Sequence, residues 1–124
     1  IACPGQLRPD KAIIDAAINA GAEVVVTEDP KVAVAGADCV VTDTWVSMGQ
    51  TDEGYRKQLL GAYAVDGELM RGAAKGAVFM HCLPAYRGYE ITDGIAESQN
   101  SVIFDQAENR LHFQRALLKY LIAK

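Results

Sequence analysis

The sequence lacks both usual phosphate cradles: there is no GxGxxG after the first apolar run and no GxxxxGK[ST] anywhere. That argues against a dinucleotide or P-loop enzyme. Neither histidine pairs with a serine in a recognisable nucleophile elbow. Cysteine is scarce, with Cys3, Cys39 and Cys82 widely spaced, no CxxC and no Cys/His pair at metal-ligand spacing. An odd, scattered set makes a poor disulfide framework and no zinc motif, and it favours a reducing, intracellular setting. Cys3 and Cys39 read as small buried hydrophobes. Apolar runs are only a few residues long, far short of a membrane span. Ile1-Ala2-Cys3-Pro4-Gly5 has neither the basic flank nor the apolar segment of a signal peptide. Positive charge is also in short supply, with 12 Lys and Arg against 16 Asp and Glu, so no basic stripe exists to neutralise nucleic-acid phosphates.

What is present suits one soluble domain: 124 residues, half of them apolar, are enough for a single core. Short β-branched runs alternate with helical patterns, as in a parallel sheet covered by helices. Ile1–Cys3 reads as the tail of a strand, which suggests a chain cut from something longer. A helix follows with Pro9 in its first turn, i,i+4 apolar pairs Ile13/Ala17 and Ile14/Ile18, and Gly21 closing it. Glu23–Thr27 holds Val24-Val25-Val26, the pattern of a strand buried on both faces. Asp29-Pro30 starts a short helix that ends near Gly36. Asp38–Thr42 is the next strand, followed by a loop from Asp43 to about Glu53. Tyr55–Leu60 and Asp66–Ala73 read as short helices, the second capped by Asp66. Ala77–Met80 is a strand, Tyr86–Ser98 mostly loop with one helical turn, and Ser101–Phe104 the last strand. The final helix runs from about Gln106 to Ile122, with Asp105 and Glu108 resembling a capping box. Its apolar surface is broad enough to meet more than one neighbour. The fold expected is α/β: a Rossmann-like three-layer sandwich with a five-stranded, mostly parallel sheet. Ligands bind such sheets beyond the carboxyl ends of the strands.

Two unusual strings fall at that edge, and a third lies beside it. In Asp43-Thr44-Trp45-Val46-Ser47-Met48-Gly49-Gln50, a strand-terminal carboxylate can pair with an ammonium group, while Ser47 and backbone N–H groups near Gly49 suit a carboxylate. The same residues also make an ordinary capped turn with Trp45 and Met48 packing. In His81-Cys82-Leu83-Pro84, a thiol and backbone carbonyls beside a proline can contact an amine. A Cys–His dyad is disfavoured, because adjacent strand residues face opposite ways. Arg110, early in the last helix, can reach the crevice and polarise a carbonyl, or it can simply meet Gln106 or Gln114 on the surface.

Together, DTWVSMGQ, HCLP and FDQAENR closely resemble the carboxyl-terminal domain of ornithine carbamoyltransferases, over nearly the whole chain. Aspartate carbamoyltransferases typically carry Pro where this chain has Cys82, and the SMG loop marks the ornithine enzymes. The resemblance implies that Asp43, Ser47 and Met48 bind the amino-acid end of L-ornithine. Cys82 and the Leu83 backbone would contact the δ-amine and the carbamoyl group of carbamoyl phosphate. Arg110 would hold the carbamoyl oxygen, and His81 would help fix that oxygen or the loop. Cys82 and Arg110 are thus the catalytic candidates, and no metal or organic cofactor is implied. The family forms trimers in the cytoplasm, or in the mitochondrial matrix of eukaryotes. Its amino-terminal carbamoyl phosphate domain carries Ser-Thr-Arg-Thr and His-Pro-x-Gln strings, and neither occurs here. The chain is therefore expected to be inactive alone. The alternatives are a stand-alone amino-acid-binding module and a folded fragment that binds nothing.

Overall fold

The structure is a computed structural model, and it describes residues 1–123. Two parallel strands, β1 (Cys39–Thr42) and β2 (Val78–His81), pair in the register Cys39↔Val78 through Thr42↔His81. Around them lie α1 (Lys11–Asn19), α2 (Pro30–Val34), α3 (Glu53–Leu60), α4 (Gly67–Met70), α5 (Asp93–Ala96) and α6 (Ile103–Ile122). The core gathers Val65, Phe79, Ile91, Ile95, Ala96 and Ile103, with Val40, Leu69 and Met70 packed against it. Phe79, at the middle of β2, is fully buried, which contributes on the order of 2–3 kcal/mol.

Local chemistry explains where several helices start. Asp29 Oδ1 accepts from Lys31 N–H at 2.8 Å, with Pro30 as the first helical residue of α2. Asp66 caps α4 by accepting from Leu69 N–H at 2.8 Å. In α1 the cap is Asp10, which accepts from Ala12 N–H at 2.7 Å, so Pro9 precedes the helix rather than filling its first turn. Gly21, at φ +91°, turns the chain out of α1 in a conformation that an L side chain rarely adopts.

The parallel α/β plan holds, but the five-stranded sheet does not: among the described residues two strands form. The other three expected strands shrink to isolated bridges or coil. Ala2 bridges Thr27 and Ser101 bridges Phe79. A groove of about 430 Å³, lined by Ile1 and Ala2 on one side and by Cys39, Val40, Val41 and Thr42 on the other, separates the first pair from β1. The Ile1 amino group donates to the Val25 carbonyl at 2.7 Å, but among the described residues no regular ladder extends over Val24–Val26, and Val25 is exposed rather than buried on both faces. Cys39 lies on the same open edge and is exposed, whereas Cys3 is buried as expected. At the other end, Val102 N–H donates to the Phe79 carbonyl at 2.9 Å, and α6 begins at once so that Ile103 enters the core. The helix thus starts before Asp105, no side chain caps it, and the expected Asp105–Glu108 capping box is not formed. Asp105 sits in the first turn, where its charge still suits the helix dipole.

Candidate functional site

Flush parallel pairing builds the site. Thr42↔His81 is the last rung of the β1–β2 ladder, so Asp43 and Cys82 leave the sheet side by side. The Cys82 thiol donates to Asp43 Oδ1 at 3.1 Å. Arg110, from the second turn of α6, donates through Nη1 to the Cys82 carbonyl at 3.0 Å rather than to Gln106 or Gln114. Residues 39 and 28 positions apart in sequence thus converge at one strand edge.

His81, on the last rung, turns its ring inward beneath the same edge. Its ring is fully buried, Nδ1 accepts from Leu83 N–H at 2.9 Å, and Nε2 faces Glu90 Oε1 at 3.3 Å. Both ring nitrogens are taken by Leu83 and Glu90, so among the described residues no hydrogen bond joins His81 to Cys82. Asp43, His81 and Cys82 each bring a possible ligand atom to within 4.8 Å of the others, a spacing a metal ion could use. Capture of an ion there would first cost His81 its contact with Leu83 or Glu90. Leu83 adopts φ 57°, the one positive φ among the described non-glycine residues, and is followed by a cis peptide to Pro84.

The loop after β1 satisfies itself. Asp43 Oδ1 also accepts from Thr44 N–H at 2.7 Å, and residues 47–50 close a turn through Gln50 N–H to the Ser47 carbonyl at 3.1 Å. Gly49 sits at φ +88° in that turn, which explains its glycine. Ser47 and Met48 are both exposed, and no hydrogen bond joins either to Asp43, Cys82 or Arg110 among the described residues. Behind the loop lies a cavity of about 370 Å³, lined by Trp45, Glu53, Lys57, Tyr86, Tyr89 and Glu90 among others. Lys57 Nζ lies 3.8 Å from the centre of the Tyr89 ring and 2.6 Å from Glu53. Sequence reasoning missed Glu90, since a loop glutamate nine positions after a histidine carries no local signal.

The thiol of Cys82 is pushed above its ordinary range, first by its hydrogen bond to Asp43, then by burial and by the Asp43 charge. Raising a thiol favours its protonated form in the folded state. The associated stabilisation is present below the unfolded thiol's pKa and is lost as pH rises through the folded one. Replacing Asp43 with Asn removes the charge and should move the pH profile of Cys82 alkylation to lower pH. Peptide mapping distinguishes Cys82 from the exposed Cys39, and an unchanged Cys82 profile would contradict this account.

Residues 1–121 match the family described as aspartate/ornithine carbamoyltransferase, Asp/Orn binding domain. The chain is 52% identical over 122 residues to an ornithine carbamoyltransferase of Rhodopseudomonas palustris, covering 98% of this chain and 39% of the relative. Among solved structures, an anabolic ornithine carbamoyltransferase from Campylobacter jejuni superposes with a TM-score of 0.87 at 38% identity, covering 98% of this chain and 42% of that one. The ornithine carbamoyltransferase of Pyrococcus furiosus gives 0.84 at 42% identity, with 95% and 39% coverage. The chain therefore spans about two-fifths of the length of the relatives it matches.

Proposed function

Because the chain belongs to the aspartate/ornithine carbamoyltransferase family, as its Asp/Orn-binding domain, we propose that it supplies the ornithine-binding side of carbamoyl transfer to L-ornithine. The observation that carries this reading is the convergence of Asp43, Cys82 and Arg110 on one strand edge. On this reading the Asp43 carboxylate pairs with the α-ammonium of ornithine, and Ser47 and Met48 close over the amino-acid end. The δ-amine, freed of its proton, meets the Cys82 thiol and the Leu83 backbone. Arg110 is near enough to the Cys82 carbonyl to polarise the carbamoyl oxygen of carbamoyl phosphate beside it. The amine's lone pair forms the new C–N bond, giving a tetrahedral intermediate. Its collapse breaks the C–O bond, and phosphate leaves with that electron pair while the nitrogen sheds its second proton, giving citrulline. His81 acts on the loop from the buried side, since both its ring nitrogens are engaged there. The chemistry is proximity and electrostatic stabilisation by the protein's own groups. The same reading places the reaction in arginine biosynthesis, in the cytoplasm and in a homo-oligomer. No helix among the described residues is long and apolar enough to cross a membrane.

Ornithine titration tests the assignment. Asp43→Asn keeps the side-chain shape but removes the charge. Charge-assisted hydrogen bonds contribute about 1.5–3 kcal/mol, and Asp43 is exposed, so the lower end applies: roughly a tenfold weaker affinity. Calorimetry on wild type and variant measures it, and unchanged ornithine affinity in Asp43→Asn would remove Asp43 from the site.

A further inference from the structure

One carboxylate lies behind the site and ties its loop together. Glu90 is almost fully buried, and its Oε1 takes two donors: Tyr86 N–H at 2.6 Å and His81 Nε2 at 3.3 Å. Because His81 Nδ1 accepts from Leu83 N–H, that nitrogen holds a lone pair and the ring proton sits on Nε2, directed at Glu90. The segment from His81 to Glu90 is thus drawn in from both ends onto one oxygen. Glu90 itself is anchored through its carbonyl, which accepts from Val65 N–H at 2.9 Å in the core.

This arrangement controls the backbone that faces the crevice. Leu83 adopts a left-handed φ that costs a branched side chain energy, and the Leu83 N–H···Nδ1 bond holds it there. That turn leaves the Cys82 carbonyl pointing at Arg110. Glu90 Oε2, meanwhile, is buried with no hydrogen-bond partner among the described residues. A buried carboxylate with an orphan oxygen is a poor choice for stability alone, which an apolar residue of similar volume would serve better.

We propose that Glu90 is a positioning residue: acting through His81, it fixes the Cys82–Leu83 backbone against which ornithine and the carbamoyl group are placed. The ligand named here rests on the ornithine reading above, while the Glu90–His81–Leu83 linkage does not. The test compares wild type, Glu90→Gln and Glu90→Asp in the 124-residue chain. It uses ¹⁵N shifts of the His81 ring, the Leu83 amide shift, ornithine titration and thermal unfolding. Glu90→Gln keeps an acceptor oxygen in place, so its His81 ring should hold the Nε2–H form and its ornithine affinity should stay near wild type. Glu90→Asp withdraws that oxygen by one methylene. Its ring shifts should move toward tautomer averaging, its Leu83 amide should shift, and ornithine affinity should fall about tenfold.

A Glu90→Asp protein with wild-type ring shifts and ornithine affinity, but a lower unfolding midpoint, would show a purely structural role and overturn the proposal. If Glu90→Asp does not fold, Glu90→Gln decides, since a changed His81 tautomer there overturns it equally. If wild type binds no ornithine, the functional reading fails for this chain, and the ring shifts alone decide the positioning role.

Discussion

No citrulline is expected when the 124-residue chain is supplied with ornithine and carbamoyl phosphate. Loss of one preorganised donor at a developing charge typically costs roughly 100- to 1,000-fold in rate. Here the phosphate would lack a whole cradle, because the Ser-Thr-Arg-Thr and His-Pro-x-Gln strings of the resembling enzymes do not occur. Arg110 cannot replace them: among the described residues its guanidinium donates to the Cys82 carbonyl, which suits a carbamoyl oxygen rather than three phosphate oxygens. The relatives are about two and a half times longer, and the resemblance places the missing donors in that additional length. Citrulline formation is to be measured on chain purified from a host without the activity, alone and joined to a carbamoyl phosphate domain. Turnover should come with the joined protein only. Turnover by the chain alone would mean that these residues contain a phosphate site of their own.

Much of this edge is legible in the order of residues alone, and the physical reason is locality. Asp29-Pro30 and Asp66 announce α2 and α4 because capping needs only a side-chain oxygen and the next few N–H groups. The β-branched and apolar runs that form β1 and β2 end directly before Asp43 and near Cys82, so both motifs can be placed at strand ends. Strand number cannot be read in the same way. Ile1–Cys3 and Val24–Val26 look like strands from composition, but a strand exists only through its neighbour, and a groove lies between the first of them and β1. The start of α6 escapes sequence reading because burial of Ile103 decides it, and the capping pattern at Asp105 carries no information about the core. Glu90 is invisible for a related reason: its partners are a ring turned inward from β2 and a backbone N–H four residues before it. Only the assembled fold gives that pairing meaning.

The final helix should be stable at its start and frayed at its end in the dilute chain. Ile103 is buried and α6 packs on β2 there, yet every described residue from Glu108 to Ile122 is exposed. The exposed set includes Leu111, Phe113, Leu118, Tyr120, Leu121 and Ile122, so the broad apolar surface read from the sequence finds no cover among the described residues. Helices shorter than about 12–15 residues are marginal in water without packing. The His112–Glu108 pair at i,i+4 adds only a few tenths of a kcal/mol. Among the described residues the Arg110 bond to the Cys82 carbonyl is the last hydrogen bond from α6 to the body of the domain, which sets the boundary of expected order near that residue. Hydrogen exchange should therefore show the amides of residues 106–110, the first to find helical acceptors, slowed at least about 100-fold more than those of residues 113–122. Uniform protection along α6 in a chain shown by sedimentation to be monomeric would refute this, because the helix would then be stabilised by its own sequence. Protection of residues 113–122 that rises with concentration would instead show a second copy covering the apolar face, and Leu118→Asp should abolish that protection while leaving the first two turns unchanged.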